Sequence, residues 1–394
     1  MRNVSRVATL IASVLAIAAP ARAQESVFNL PLPGLPGTSE SVRSRGMGGA
    51  PGGLTEGSFS MENPAWIADA GRAGLYLSLL GQRTTAEDRQ TSGDFDDVVF
   101  PMGLGVVPAF GAVVGVGYYQ YLDFDAAVES SVVFEGESVP VGLDADGGVG
   151  VLAPILAHTF DERTTAGLSL DVYLGSREVV RSISIPDEVA TRDTLSRDFS
   201  GLGLTLGVTR GFGDAARIGV AYRLRPDLDS DVTRAGDPDL LGRSSEVRLP
   251  DELLLEATAL VSERLRIGGR LRYAGWEGSV EEDLGTAGAE LGNAWEVGGG
   301  IEFAPESPVV FLVGPTAPIR VGARWARLPI RVEDQAVDEW SLALGYSRSF
   351  SALSRVDVAL EYGRRGDLDS NGLSERFVRL GVGMAAFEVW RRFD

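Results

Sequence analysis

The eight residues Arg217-Ile218-Gly219-Val220-Ala221-Tyr222-Arg223-Leu224 alternate between apolar side chains and small or charged ones. In an extended strand the apolar residues at even positions share one face, and the remaining residues share the opposite face. The same alternation recurs along the chain, at 168–174, 202–208, 265–273, 340–346 and 356–362. A period of two that is repeated over almost the whole chain predicts an all-β protein.

The composition removes several classes of function before any motif is considered. The chain has 394 residues, no Cys and no Lys, and its only His is His158. Thiolate metal sites, two-His zinc sites and lysine nucleophiles are therefore excluded. A net charge of −19 argues against nucleic acid as a partner. No motif supports catalysis, so we expect neither an enzyme nor a cofactor.

The N-terminus has the three parts of a secretory signal peptide. Arg2 and Arg6 precede a short apolar run at 7–19, and Ala21-Arg22-Ala23 offers small residues where a signal peptidase cleaves. The run is shorter than the roughly 20 residues with which a helix crosses a bilayer. We expect cleavage after Ala23, so that 1–23 is a signal peptide.

The exported chain fits a transmembrane barrel better than a soluble sandwich, in which the apolar face would form the core. Tight turns near 108–110, 160–162, 211–213 and 262–263 alternate with long segments near 83–97, 123–145, 183–197, 228–246 and 278–291. Aromatic residues lie near predicted strand ends, as in interfacial girdles: Tyr121, Trp276, Trp295, Trp340 and Tyr362. These features predict a barrel in the outer membrane of a Gram-negative-type bacterium, with outer-membrane lipid against its apolar face.

We predict an antiparallel barrel of about fourteen strands over residues 73–394. The strands are expected at 73–83, 97–107, 111–122, 145–159, 163–181, 197–210, 215–228, 247–261, 264–277, 292–304, 316–330, 337–348, 352–364 and 374–390. Two stretches leave the count open. Residues 127–136 can form a hairpin strand within an outer loop, and 305–315 is too long and too apolar for the usual periplasmic turn.

Acidic residues concentrate in the predicted outer loops. Seven acids and no Arg lie between Asp123 and Asp146. Divalent cations that bridge the loops to anionic lipid are one interpretation, and plain solubility of exposed loops is the other, which we favour. Asp367-x-Asp369-x-Asn371-Gly372 begins like a calcium loop, but Val378 stands where the closing Glu belongs, so we predict an Asx-rich hairpin turn and no metal site.

A segment without the strand pattern, 24–72, precedes the first strand. It begins with a Pro-rich apolar stretch at 28–36 and continues with Ser44-Arg45-Gly46-Met47-Gly48-Gly49-Ala50 and Met61-Glu62-Asn63-Pro64-Ala65-Trp66. Such a segment can fold into the lumen as a plug. No strand precedes the glycines and no Gly-Lys-Ser/Thr follows them, so tight backbone turns explain them better than a phosphate-binding loop.

The motifs at 45–50 and 63–65 resemble the N-terminal hatch of the FadL-type outer-membrane transporters of long-chain fatty acids and aromatic hydrocarbons, a family with distant PorV-like members. Further similarity lies in Arg248-Leu249-Pro250-Asp251, Tyr273-Ala274-Gly275-Trp276, Pro318-Ile319-Arg320-Val321-Gly322-Ala323-Arg324 and Glu361-Tyr362-Gly363-Arg364-Arg365-Gly366. The resemblance runs from about residue 40 to the end, and it implies fourteen strands and a plug. It places Gly46, Met47, Gly48, Gly49, Asn63, Pro64 and Ala65 in the hatch.

The resemblance also implies a route for an apolar molecule. Outer loops capture it, a pocket against the hatch holds it, and movement of the hatch releases it, through the lumen or sideways through an opening in the wall. The Pro-rich stretch 31–36 departs from the family's entry segment, so the pocket residues cannot be transferred. Pro101 and Pro154 lie in the strands that flank the third, where each removes a ladder donor, and we consider a wall gap or an ordinary kink there.

Charged residues on the polar face are candidates for the lumen: Arg217, Arg223, Arg266, Arg270, Arg320, Arg324, Glu296 and Glu361. One interpretation is that they bind a carboxylate headgroup, and the other, which we favour for any single Arg, is that they pair with each other. His158 has the inward parity near the periplasmic end of a strand, far from the outer face.

Three functions remain open. The first is passive uptake of hydrophobic small molecules through a channel gated by the N-terminal hatch. The second is a PorV-like accessory barrel in protein secretion or surface attachment. The third is a general porin, which an occluding plug disfavours.

Overall fold

The computed structural model describes residues 26–30, 33–37, 39–51, 59–134, 137–183, 191–224, 226–234, 243–277, 291–304, 317–332, 334–351 and 353–388. Within these ranges the segment before residue 73 contains two short 3₁₀ helices, Val27–Asn29 and Pro64–Asp69, and one turn of α-helix, α1 (Val42–Arg45). No described helix is long and apolar enough to span a membrane.

The remaining regular structure consists of antiparallel strands. They are β1 (Leu35–Pro36), β2 (Ala73–Asp88), β3 (Ser92–Val99), β4 (Met102–Ala109), β5 (Ala112–Asp123), β6 (Ala126–Phe134), β7 (Glu137–Thr159), β8 (Thr164–Ile183), β9 (Thr191–Phe212), β10 (Ala216–Leu224), β11 (Asp227–Arg234), β12 (Arg243–Arg248), β13 (Glu252–Ser262), β14 (Leu265–Ala274), β15 (Ala294–Phe303), β16 (Ile319–Val332), β17 (Gln335–Ser351), β18 (Ser354–Asp367) and β19 (Leu373–Glu388).

Fourteen of these strands close into a barrel, as the sequence predicts. The wall runs β2, β4, β5, β7, β8, β9, β10 and then β13 to β19 in order. It closes where β19 pairs with β2, from Leu373 opposite Asp88 to Glu388 opposite Ala73. Closure gives each wall strand two neighbours, as a backbone in hydrocarbon requires.

Three of the remaining strands, β3, β11 and β12, arise where proline interrupts a predicted strand. Pro101 separates β3 from β4, Pro226 separates β10 from β11, and Pro250 separates β12 from β13. Proline has no N–H for the ladder, so the chain leaves the register at these points. Pro154 behaves differently, because the ladder of β7 with β5 runs through it, while the ladder with β8 lapses at 153–154 and resumes in the same register.

The outer connections differ in part from the expectation. The predicted long loop at 83–97 is wrong, because β2 continues to Asp88 and β3 begins at Ser92, which leaves a short turn. The hairpin strand expected at 127–136 is confirmed as β6. Asp367 accepts backbone N–H groups from Asp369 and Ser370, as expected for an Asx-rich turn, and these bonds, with Asp369 first, lower the pKa of its carboxyl. The stretch 305–315 lies outside the described residues.

The two faces of the strands meet opposite surroundings. The apolar residues of the opening stretch point outward, with Ile218 at 46% exposure. Trp295, Trp340 and Tyr362 are also exposed, as expected for a girdle. Tyr121 and Trp276 are buried, so the girdle prediction was wrong for them. His158 was also assigned wrongly: it is exposed on the outward side of β7, where its Nδ1 lies 3.1 Å from the Gly111 carbonyl oxygen.

Candidate functional site

The candidate site is the interior of the barrel, where charged side chains are buried in large numbers. Arg223, Arg270 and Arg320 are at most 4% exposed, as are Glu302 and Glu361. A buried charge is costly unless it is paired and hydrogen-bonded. The hydrogen-bond and ion-pair partners of these Arg and Glu side chains therefore determine which of them are available to a ligand.

The outermost described residues of the N-terminal segment contact the outer ends of the strands. Ser26 donates its hydroxyl to both carboxylate oxygens of Glu375, at 2.9 and 2.8 Å. Arg365 donates to the same Glu375 and to the Ser26 hydroxyl, each at 2.9 Å. Asn29 donates to Asp123 at 2.6 Å, near the end of β5. Since the outer turns join these strand ends, the described chain begins near the outer rim.

The next residues run toward the centre of the barrel. Leu35 and Pro36 pair with Asp123 and Leu122 as the short strand β1. Helix α1 then begins at Ser41, whose hydroxyl accepts the Ser44 N–H as an N-cap. From this helix Arg43 forms a bidentate pair with Glu302 at 2.8 to 3.2 Å.

The predicted hatch glycines approach the strand backbones closely. A Cβ on Gly48 would lie 2.3 Å from the Ala323 carbonyl oxygen. A Cβ on the facing Gly322 would lie 2.1 Å from the Gly48 nitrogen, and one on Gly46 would lie 2.9 Å from the Cα of Gly345. Gly48 and Gly49 also have φ angles of +66° and +87°. Both the turn and the close approach therefore exclude side chains here.

The second hatch motif contacts other strands of the wall, namely β8, β9, β10 and β13. Asn63 caps the 3₁₀ helix by accepting the Ala65 N–H at 3.1 Å, and it donates to Glu256 at 3.1 Å. Trp66 donates its ring N–H to the same Glu256 oxygen at 2.7 Å. Pro64 and Ala65 lie against Gly167 and Gly207, where a Cβ would come within 3 Å of them. The structure thus brings both predicted motifs to the polar face of the barrel wall.

Each predicted lumen Arg has an acidic partner, which is the interpretation that we favoured. The pairs are Arg217 with Asp69, Arg223 with Glu252, Arg266 and Arg320 with Glu302, Arg270 with Glu40, Glu62 and Glu296, and Arg324 with Glu40, Glu339 and Glu361. Arg45 of the segment pairs with Glu361 at 2.8 Å. Three of the acids, Glu40, Glu62 and Asp69, belong to the segment, so these pairs tie it to the wall.

Several charged residues of the interior were not among the predicted lumen residues. Glu252, Glu339 and Arg365 lie on the inward face, as do Arg272 and Arg379. Alternation along the strand could have predicted Glu339 and Arg365. Trp340 and Tyr362 face outward, and residues one or three positions away in the same strand face inward. The inward position of Glu40, Arg43 and Glu62 in the N-terminal segment could not be predicted in this way, because that segment has no regular alternation of side chains.

A cavity lies at the outer part of the interior, against residues 35–37 of the segment. It has about 740 Å³ of empty space, including its solvent-open mouth. Trp276, Tyr121 and Leu328 supply apolar lining, together with the charged groups Glu252, Arg272, Glu296, Arg324, Arg327, Glu339, Arg365 and Arg379. The lining can hold a molecule that has both an apolar body and a polar group.

The wall beside this cavity is interrupted at Pro101. Below it β4 pairs with β5 from Met102 to Ala109, whereas above it β3 pairs with β2 and has no ladder with β5 among the described residues. At the same level β5 has a bulge at Tyr121, although its ladder with β7 continues on both sides of the bulge, and β1 pairs with β5 there. Among the described residues, no three acidic or His side chains are arranged to hold a metal ion.

Comparison with known proteins identifies both a family and a fold. A family model described as BamG matches residues 8–393. No curated protein matches the chain. Several solved structures do match it. The toluene transporter TbuX of Ralstonia pickettii is 16% identical to this chain with a TM-score of 0.61, and the match covers 90% of this chain and 99% of TbuX.

Two other structures agree with it. A FadL homologue of Pseudomonas aeruginosa is 14% identical, has a TM-score of 0.60 and is matched over 90% of this chain and 99% of that one. The monoaromatic hydrocarbon channel CymD is 17% identical, with a TM-score of 0.55 and coverage of 92% and 99%. At these identities the likeness establishes a shared FadL-type fold, as the sequence motifs led us to expect.

Proposed function

The chain belongs to the BamG family, and from that premise and its FadL-type barrel we propose that it is an outer-membrane channel for passive uptake of hydrophobic molecules, gated by the N-terminal segment as a hatch. The observation that carries the proposal is the outer cavity, which opens to solvent and is lined in part by residues 35–37 of the N-terminal segment. Long-chain fatty acids and aromatic hydrocarbons are the expected substrates. The driving force is the transfer of an apolar molecule out of water.

The location follows from the surface of the barrel. An outward belt of Leu, Val and Ile side chains, 40 to 65% exposed in many positions, requires lipid around it. We expect the mature protein to begin after a cleaved signal peptide and to fractionate with outer membranes. We also retain the wall gap at Pro101 as the sideways exit, whereas β7 keeps its register with both neighbours past Pro154 and loses only two pairs with β8, which gives little support to a second gap.

Binding and passage are tested separately. Detergent-purified protein is titrated with oleate and with toluene, and saturable micromolar binding of either supports the channel.

For passage, protein in liposomes is compared with the variant Arg43→Gln/Arg45→Gln. Glu302 and Glu361 keep other arginine partners in that variant, so the wall stays paired while the hatch loosens. We expect faster oleate transfer.

The matched control for this variant is Arg83→Gln, which removes an arginine that is 61% exposed on the outer wall. It should leave transfer unchanged. Absence of binding to both compounds overturns the proposed function, and equal transfer by the loosened variant and the control overturns the gating.

A second function, an accessory barrel that anchors or shuttles secreted proteins, is favoured by one observation. Ion pairs join the segment to strands around the barrel, as in the buried pair of Arg43 with Glu302 and the partly exposed pair of Asp69 with Arg217. A lumen filled in this way suits a permanent scaffold. A secreted partner that copurifies with the protein, together with no binding of oleate or toluene, would support this function.

A further inference from the structure

The outward-facing arginines differ between the two rims of the barrel. Beside the outer aromatic girdle, Arg327 lies 3.0 Å from Asp338 and Arg364 lies 3.1 Å from Asp367. The inner rim is the end of the wall where short turns join β7 to β8 and β9 to β10. There Arg210 is exposed on the outward face of β9 and forms no ion pair in the described part of the chain. The inner rim thus presents a cation without an acidic partner among the described residues.

Arg210 borders a shallow trough in the lipid-facing wall. Its floor is the start of β8, where the outward residues are the small Thr164 and Ala166 before the larger Leu168. Thr164 lies directly opposite Arg210 in the ladder with β9. The guanidinium Nη1 donates to the Thr164 hydroxyl at 3.2 Å, so the cation reaches over the floor. A guanidinium has five N–H donors, and this bond leaves others for a ligand.

Two aromatic side chains flank the trough. Phe160, directly after β7, is 68% exposed, and Phe212 at the end of β9 is 55% exposed. His158 also points outward, and its ring meets that of Phe160 edge to face with centroids 4.9 Å apart. Exposed rings at a rim are typical of the membrane interface, where aromatic side chains form a girdle. The flanks of the trough are therefore suited to the boundary between acyl chains and headgroups.

The trough lies at the inner edge of the apolar belt. Leu168, Leu170 and Leu174 are exposed on the outward face of β8, and the polar Ser176 follows them. Thr164 and Leu174 are ten residues apart. In a strand tilted by about 40° this separation corresponds to about 25 Å along the membrane normal, which is the height of a barrel's apolar belt. With Leu174 at the outer edge of the belt, Thr164 lies at the level of the inner-leaflet headgroups.

Acidic side chains lie beyond the trough, on the side expected to face the periplasm. The turn after β7 carries Asp161 and Glu162, the turn after β9 carries Asp214, and all three are exposed. Asp161 accepts the backbone N–H groups of Arg163 and Thr164 at 2.7 Å each, which orders the turn. Arg163 is the one basic residue of these two turns. Positive charge thus lies at the edge of the belt, and net negative charge lies beyond it.

This order of charges matches one kind of lipid headgroup. A phosphate next to the acyl chains accepts charge-assisted hydrogen bonds from a guanidinium. A primary ammonium beyond the phosphate has three N–H donors for carboxylates, whereas a quaternary choline has none and a glycerol headgroup has no cation. A headgroup with phosphate first and primary ammonium second therefore satisfies both levels of the inner rim.

We propose that the trough is a binding site for an inner-leaflet lipid of the phosphatidylethanolamine type. Its phosphate binds Arg210 and the Thr164 hydroxyl, and its ammonium binds the turn carboxylates Asp161 and Glu162. Its acyl chains follow the apolar belt from Leu168 upward. The site is on the lipid-facing surface, so it does not depend on what passes through the lumen.

The experiment counts lipids bound to the detergent-purified full-length protein by native mass spectrometry. The protein is titrated with phosphatidylethanolamine, phosphatidylglycerol and phosphatidylcholine that carry the same acyl chains. We expect phosphatidylethanolamine to bind severalfold more tightly than the other two, because it alone satisfies both charge levels through hydrogen bonds.

Two variants test the two charge levels separately. Arg210→Gln removes the phosphate contact and should weaken phosphatidylethanolamine and phosphatidylglycerol alike. Glu162→Gln removes an ammonium contact and should weaken phosphatidylethanolamine alone. The matched controls are Arg327→Gln at the outer rim and Glu263→Gln in the exposed turn between β13 and β14, and they should leave all affinities unchanged. All four changes are at exposed side chains, and circular dichroism verifies that each variant is folded.

The outcomes separate this inference from the proposed function. Equal affinities for the three lipids overturn it, as do equal losses in a variant and its control. Tighter binding of phosphatidylglycerol indicates general attraction of anions, and tighter binding of phosphatidylcholine places the headgroup cation on the aromatic rings. Either result also overturns the inference. None of these results affects the binding of oleate or toluene, so the channel is judged by its own titrations.

Discussion

The two ends of the N-terminal segment are held in different ways. At the outer end, Ser26 and Val27 are bound through hydrogen bonds to a single carboxylate, Glu375, which also pairs with Arg365. At the lower end, Pro64 and Ala65 lie against glycines of the wall, so closely that a methyl group would not fit. The outer end is therefore held mainly by hydrogen bonds and an ion pair at Glu375, whereas the lower end adds close backbone packing to the hydrogen bonds of Asn63 and Trp66 with Glu256.

This difference indicates which end can respond to a molecule in the lumen. Water or a ligand can replace a hydrogen bond to Glu375, because the replacement satisfies the same atoms. Nothing comparable replaces a close backbone contact, which is lost as soon as the two surfaces separate. We therefore expect the segment to open from its outer end, and the variants below test this order.

Glu375→Ala should have the largest effect. It leaves Arg365 without one of its buried partners and removes the acceptor of Ser26 and Val27. Loss of one partner of a buried ion pair destabilises proteins by about 3–5 kcal/mol. Urea unfolding in detergent micelles measures the change. Glu87→Ala, at an exposed pair of the same strand neighbourhood, is the control and should shift the free energy of unfolding by less than about 1 kcal/mol.

Gly167→Ala should have the next largest effect, at the lower end. A Cβ there would lie 2.4 Å from the backbone of Pro64, and such overpacking costs about 1–3 kcal/mol. Hydrogen exchange measured by mass spectrometry should show faster exchange in 59–72 and no change in 26–37. Gly81→Ala is the control, since its nearest neighbour would be 3.9 Å away. Equal changes at both ends would contradict the separation between them.

Acid should weaken the docking of the segment only below the usual range of a Glu. Burial raises the pKa of Glu62, but Arg270 and Arg272 more than offset it, so the pKa lies below the ordinary 4.5. A lowered pKa stabilises the folded state above the unfolded value, and this stability is lost as the pH falls through the folded value. The unfolding midpoint in urea should therefore fall faster below pH 4.5 for the wild type than for Glu62→Gln. Parallel curves for the two proteins would exclude this role.

The barrel wall of this protein could be predicted from the sequence much better than the arrangement of the N-terminal segment and the ion pairs inside the barrel. Alternation set the fourteen strands and the outward apolar face, because the side-chain period of a strand is two and each face meets one solvent. It also placed Arg223, Arg270 and Arg324 inside. Proline explains where it fell short: the breaks at Pro226 and Pro250 divide two predicted strands into four. The alternation of side chains does not reveal where the hydrogen-bonded ladder between two strands is broken.

The interior was less accessible because its pairs join distant parts of the chain. Arg43 meets Glu302, and Asn63 meets Glu256, across about 200 residues or more of sequence. Trp276 and Tyr121 were misplaced for a related reason. Each lies near a strand end, where aromatic residues occur both in the outward girdle and in the lumen. Only the register of the strand determines which way such a side chain points.

The smallest effect, and the sharpest test of the order of opening, is Ser26→Ala. The change removes one hydroxyl but keeps Glu375, Arg365 and the hydrogen bond from the Val27 N–H. The hydroxyl donates to Glu375 and accepts from the Phe28 N–H and from Arg365, so its loss should cost about 1–2 kcal/mol, the smallest change of the series in global unfolding. Hydrogen exchange at 27–37 should nevertheless rise severalfold, with 59–72 unchanged, because a local opening responds to a local bond. If exchange rises first at 59–72, the lower end is the weaker one, and the comparison is reversed.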